Sequence, residues 1–163
     1  MRAGHLVRRF VGSLWPLGPR RESELWVAQT LMPGELALWR QMSRPDRRHA
    51  VGVARQVQAS LGDQAEPPVL AAALLHDVGK VASGLGTFGR VAATVAGLAR
   101  SEARAGDGRV ARYLRHDVLG AEMLAAAGSD PLTVAWAREH HLTYDRWSVP
   151  RPVGEILKSA DDD

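Results

Sequence analysis

The 163-residue chain contains no cysteine. A disulfide framework, a Cys-ligated zinc, an iron–sulfur cluster and a thiol nucleophile are thereby excluded, so any metal must be held by nitrogen and oxygen. No apolar run approaches the roughly 20 residues that a membrane-spanning helix needs. Internal repeats and low-complexity tracts are absent, and no segment alternates apolar and polar residues as a half-buried strand does. Lysine is nearly missing: Lys80 and Lys158 are the only two, and the other 19 basic residues are arginines. That bias is read as genome composition and is given no function.

What is present has an ordinary globular balance, 45% apolar and 24% charged, and a length that suits one domain. The formal charge of +3 is unevenly placed. Residues 1–21 hold Arg2, Arg8, Arg9, Arg20 and Arg21 and no acid, which leaves 16 basic against 18 acidic residues in the rest. The basic character belongs to the N-terminal tail, and a nucleic-acid-binding face on the globular part is not expected. Residues 3–15, AGHLVRRFVGSLW, are basic and apolar at helical spacing. Arg8 and Arg9 interrupt any signal-peptide core, and no cleavage pattern follows. The stretch reads either as a frayed or docked terminal segment or as a weak membrane-surface helix. A cytoplasmic location is expected.

Pro/Gly punctuation divides the remainder into helices, and the predicted fold class is all-α. Residues 22–31 begin acidic and continue apolar, as a helix N-terminus should. ELALWRQM, 35–42, follows Pro33-Gly34. A third helix runs from Ser43 and Pro45 to about Leu61, with Ala50, Val53, Ala54, Val57 and Leu61 as its apolar stripe. Residues 62–68 form a loop. VLAAALLHDV, 69–78, reads as a buried helix with Gly79 at its C-cap. Further helices are predicted over 89–103, 110–127 (closed by Gly128), 131–142 (capped by Asp130) and 153 to about 160, with 104–109 as a flexible link and 144–152 irregular.

His76-Asp77 ends the most apolar of these helices. An ionised carboxylate there costs several kcal/mol unless it is paired or binds a metal. A buried His-Asp pair or an exposed helix end would account for the dipeptide alone. Four further positions add to it. His49 lies in line with Val53 and Val57; His116 lies inside VARYLRHDVLGAEML; His140-His141 closes the helix begun at Asp130; Asp161 follows the apolar ILKSA. Each therefore sits on its own predicted helix. Helices that converge on one cavity, each giving one or two inward side chains, are how bundles build metal sites.

Taken together, RRHAVGVA, AALLHDVGK, RHDVLGAEML, AREHHL and EILKSAD resemble the HD-domain superfamily of metal-dependent phosphohydrolases, over roughly Leu36 to Asp163. HDVGK is similar to that family's HD-(Ile/Val)-Gly-Lys signature, and RHDVLG with EHHL resembles its two-metal branch. The resemblance implies a single HD domain over 22–163 after the tail. It implies a primary metal site of His49, His76, Asp77 and Asp161, with Asp77 bridging to a second metal held by His116 and His140. His141 would be a further ligand or would lie behind the first ones. Asp77 and Lys80 are the implied catalytic residues, Lys80 facing a substrate phosphate. Arg112 and Arg115 are candidate substrate-binding residues, against the plainer reading of a solvated helix face. For Lys80 the plainer reading is an exposed lysine favoured by a helix C-terminus.

The implied activity is cleavage of a phosphate ester, from a nucleotide or another small phosphorylated metabolite, by a metal-bound hydroxide. The implied cofactor is a divalent transition metal, two ions per chain; imidazole and carboxylate suit Fe, Mn, Zn, Co or Ni without choosing among them. A non-catalytic metal-binding regulatory module and a di-iron oxygenase would use the same ligand set. The departures from better-known branches are specific. Leu142, not Glu, follows His140-His141; TYDRWSVPRP lacks Gly-Tyr-Pro; and position 45 is Pro rather than an acid. Cyclic-di-GMP hydrolysis is therefore not carried over.

Overall fold

The computed structural model describes residues 18–86, 89, 92–94 and 106–162. The expectation for residues 3–15 and most of the helix predicted over 89–103 lie outside these. Among the described residues there are eight α-helices and no strand: α1 (Arg21–Thr30), α2 (Pro33–Gln41), α3 (Arg44–Leu61), α4 (Pro67–Leu75), α5 (Arg109–Leu114), α6 (His116–Ala126), α7 (Pro131–Glu139) and α8 (Arg151–Asp162). Short 3₁₀ segments occupy Gly62–Gln64, Val78–Ser83 and Tyr144–Arg146. None of these helices is long and apolar enough to cross a membrane.

The helix starts follow local chemistry. Pro33 opens α2, and the Glu35 carboxylate, itself buried, accepts the Met32 N–H at 3.0 Å, satisfying a donor that no helical carbonyl can reach. Ser43 caps α3 through its hydroxyl, and Asp130 caps α7, accepting the Leu132 N–H at 2.8 Å. Gly62 ends α3 at φ +54, and Gly128 follows α6 at φ +77, conformations that cost a side-chain-bearing residue 1–2 kcal/mol or so.

Helix α4 is the axis of the molecule. Every residue from Val69 to Leu75 is buried, which is why its sequence shows no polar face. It packs against α1, α2, α3, α7 and α8. Val27 and Trp39 of the first two helices, with Leu31 and Met42 just past their ends, join the same core as Val53, Val57, Trp136 and Leu157. Trp39 is fully buried and donates its indole N–H to Glu24 at 3.0 Å, and Glu24 also pairs with Arg47 at 2.9 Å.

Helix α4 begins at Pro67, inside the expected loop 62–68, and α8 at Arg151, inside the stretch expected to be irregular. Three further boundaries that bear on the site also differ from those read in the sequence. Helix α4 stops at Leu75, and His76-Asp77 form a turn that leads into Val78–Ser83. Gly79 is therefore not a C-cap, and it has no positive φ; the left-handed residue is Gly84, at φ +58, after the 3₁₀ segment. The helix expected over 110–127 is broken at Arg115 (φ −114, ψ 22), which separates α5 from α6. Helix α7 ends at Glu139, one residue before His140.

Candidate metal centre

These breaks put chemistry-bearing side chains just past helix ends. His76 is the C-cap of α4, His140 the C-cap of α7, and His116 follows the α5–α6 break. In each, ring Nδ1 lies against the carbonyl three residues back: His76 on Ala73 at 2.9 Å, His116 on Tyr113 at 2.7 Å, His140 on Ala137 at 2.9 Å. These carbonyls belong to last turns, which lack a helical donor. A carbonyl can only accept, so Nδ1 carries a proton in each ring and Nε2 is the atom turned to the cluster. Three helix ends thus present three imidazoles in the same orientation. The sequence held a signal for this: a histidine at a helix end, with an uncapped carbonyl at i−3.

The Nε2 atoms converge on carboxylates. Asp77 Oδ2 lies 3.4 Å from His76 Nε2, while Oδ1 lies 3.3 Å from His116 Nε2 and 3.8 Å from His140 Nε2. Asp161 Oδ1, from the last turn of α8, lies 3.0 Å from His49 Nε2 and 3.4 Å from His76 Nε2. His141 Nε2 lies 3.1 Å from His116 Nε2. Two groups result, His49–His76–Asp161 and His116–His140–His141, each with its ligand atoms within 4.8 Å of one another. Asp77 stands between them, one oxygen toward each.

The donor set fits a cation. His140 Nε2 is buried with no hydrogen-bond partner, an arrangement costing on the order of 1–3 kcal/mol unless something else satisfies it, and His76 Nε2 is buried against two carboxylates at 3.4 Å. Burial, reinforced by His141 and His76, pushes His140 well below the ordinary imidazole range. Burial and neighbouring His116 push His141 down to about 4, with its Nε2 turned to the cluster although the residue as a whole is exposed. Both are neutral and ready to ligate. Burial alone would lower His76 as well, but Asp77 and Asp161 override it and raise its pKa to about 10. Burial alone would raise Asp77; Lys80 and His76 hold it well below the carboxylate range instead. The carboxylates thus demand positive charge at this point. The carboxyl ends of α4, α7 and α8 also meet here, and their dipoles add to that demand.

Lys80 is not the exposed lysine of the plainer reading. Its side chain is largely buried, and its ammonium donates to Asp77 Oδ2. Arg112 donates to the carbonyls of Asp107 at 3.0 Å and Ala82 at 3.4 Å, and Arg115 to that of Gly106 at 2.7 Å. Arg112 and Arg109, which donates to the Ser83 and Gly84 carbonyls, tie α5 to the end of the 3₁₀ segment that carries Lys80, while Arg115 holds the stretch just before α5. Sequence reasoning missed this tethering, because nothing in side-chain spacing says which main-chain carbonyls an arginine will find.

Exposure is graded across the cluster. His76 and His140 are closed off, whereas the His49 side chain is 31% exposed. His49, Lys80 and His141 form the rim through which a ligand would approach. A family model described as HD domain matches residues 48–162. No curated protein and no solved structure matches the chain.

Proposed function

The chain belongs to the HD-domain family, and from that premise we propose that it is a metal-dependent phosphohydrolase that cleaves the phosphate ester of a nucleotide or another small phosphorylated metabolite. The observation that carries the reading is the placement of Asp77, one oxygen toward His116 and His140 and the other toward His76. A carboxylate so placed is suited to bridge two cations. His49, His76 and Asp161 would hold one, and His116, His140 and His141 the other. Bound there, divalent metals supply Lewis acidity to a phosphoryl oxygen and make a water acidic enough to attack phosphorus at neutral pH.

The chain's own residues do the rest. The last-turn carbonyls of α4, α5 and α7 fix the three buried-side imidazoles, so no rotamer need be selected when the site is filled. Lys80, on the rim and oriented by Asp77, places a positive charge where a phosphate dianion would arrive. Arg112 and Arg115 would reach that phosphate only by exchanging their present main-chain carbonyls. The apolar packing of Trp136 behind His140, at 6.4 Å between rings, keeps water from the inner side of the cluster. Leu142 and the lack of Gly-Tyr-Pro after it leave the cyclic dinucleotide without the elements expected to select it.

The test is hydrolysis of a chromogenic phosphate ester beside cyclic di-GMP at equal Mn²⁺ loading, with Asp77→Asn as the inactive reference. Cleavage of the chromogenic ester, abolished in Asp77→Asn, supports the reading. Cleavage of the cyclic dinucleotide alone would overturn the substrate class. Two bound metals with no hydrolysis of either would favour the regulatory module, or the oxygenase if oxygen is consumed.

A further inference from the structure

Gly79 and Gly120 meet where the 3₁₀ segment crosses the first turn of α6. A Cβ added to Gly79 would lie 1.9 Å from the His116 carbonyl oxygen and 2.5 Å from the Gly120 nitrogen. These two atoms stand four residues apart, as acceptor and donor do in a helical turn, and the first bond of α6, Leu119 N–H to the Arg115 carbonyl at 3.0 Å, lies just before them, so Gly79 rests directly on the first turn. From the other side, a Cβ on Gly120 would lie 3.1 Å from the Gly79 nitrogen, 3.4 Å from its Cα and 3.5 Å from Val78 Cγ1. Both Gly79 and Gly120 are buried, as is Val78.

The contact has a short lever on each side. Gly79 is two residues after Asp77, and the atom it presses on is the carbonyl of His116 itself. The imidazole of His116 is in turn fixed to the Tyr113 carbonyl at 2.7 Å. Between the backbone contact and the 3.3 Å approach of Asp77 Oδ1 to His116 Nε2 there is almost no chain left to absorb a displacement. We infer that the Gly79–Gly120 backbone contact is the positioning device that sets the distance between Asp77 and His116, and hence the completeness of the His116–His140–His141 side of the centre. Any side chain at either position would push the first turn of α6, with His116, away from Asp77. His49 and Asp161 sit on α3 and α8, and His76 caps α4; none of them belongs to α6, so a displacement of α6 leaves their side alone. The inference rests on the metal-centre reading above and goes beyond it by assigning a role to residues that touch no ligand.

Metal–ligand distances are met within about 0.2 Å in working sites, and a Cβ at 3.1 Å from backbone requires a shift of a few tenths of an ångström. Gly120→Ala should therefore fold and still weaken one metal of two. The experiment is stepwise Mn²⁺ titration by calorimetry, with electron paramagnetic resonance to detect a spin-coupled pair, on the full chain, Gly120→Ala and Gly52→Ala. Gly52 lies in α3 with nothing within 4 Å of its added Cβ and controls for the helical preference of alanine. Gly120→Ala should keep the tighter step within twofold, lose tenfold or more in the weaker step and lose the coupled signal, while Gly52→Ala keeps all three. Val78→Ala, which removes the carbon facing Gly120 rather than adding one, should also weaken the second step selectively, and it decides the matter if Gly120→Ala does not fold. Two unchanged steps in Gly120→Ala, or equal losses in both steps, would overturn the positioning role. If the unaltered chain binds no Mn²⁺, the metal-centre reading itself fails, a result distinct from either.

Discussion

His49 Nε2 and Asp161 Oδ1 lie 3.0 Å apart across 112 positions of sequence. One comes from the first half of α3 and the other from the last turn of α8, and α3 and α8 pack against each other. The pair closes the molecule around α4 and completes the His49–His76–Asp161 group.

Asp161→Asn keeps the shape of this closure and removes its charge. The expected outcome is a 10- to 100-fold loss of affinity for one metal, with the His116 side retained, because a neutral amide is a poor substitute for a ligating carboxylate. Calorimetric titration of the variant reads it; an unchanged first step would place Asp161 outside the ligand set.

Asp77→Ala should empty both sides and abolish hydrolysis, whereas His116→Ala should remove chiefly one metal. Asp77 alone has an oxygen toward each group. Metal content per chain, measured on both purified variants, decides between a divided centre and an undivided one: equal losses mean it is not divided.

Acidity should report on His76. In the metal-free fold its pKa is raised to about 10 from 6.5, so between these values the folded chain holds a proton that the unfolded chain releases. The stability this contributes is complete below 6.5 and is lost as pH rises through about 10. The thermal midpoint of the metal-free protein should fall from pH 7 to pH 10. A bound cation replaces that proton, so the loaded protein should lack this slope, and metal binding at pH 8 should release protons, read by calorimetry in two buffers of different ionisation enthalpy.

Gly154→Ala tests the strap after His141. A Cβ there would lie 2.6 Å from the Trp147 ring, whose indole N–H donates to the Leu142 carbonyl at 3.2 Å and whose face meets Trp136 edge-on at 5.4 Å. Overpacking of this kind costs about 1–3 kcal/mol. Chemical denaturation should show that loss; a cost below 0.5 kcal/mol or so would mean that Trp147 is free to move aside.

Much of this was legible in the sequence, for identifiable reasons. The stripe Ala50–Val53–Ala54–Val57 repeats at the helical period and is buried as read. Ser43, Asp130 and the prolines mark helix starts because capping is local chemistry. The candidate ligands could be named because each lies on its own predicted helix and because the motifs that carry them resemble the HD pattern. The end of α4 could not be placed, because nothing in LLHDVGK competes visibly with helix, and Gly79 resembled a cap. Its real constraint, the backbone of α6, lies 37 to 41 residues downstream and is invisible to any local pattern. Gly120, a glycine among apolar helical residues, was the available hint of a close approach. The resemblance sets Lys80 toward a substrate phosphate, and spacing gives no sign that Asp77, one turn back, would claim its ammonium.

The three last-turn carbonyls beneath His76, His116 and His140 bear on how the protein meets its ions. Each ring is oriented by its own helix end rather than by the ion, so the conformational entropy of arranging the ligands is lost during folding and not at the moment of capture. Unlike a small domain that stays unfolded until its metal arrives, this one has a large apolar core of its own. On the proposed metal-dependent reading it would exchange one divalent ion for another without dismantling its tertiary structure, and the ion held would follow the supply around it.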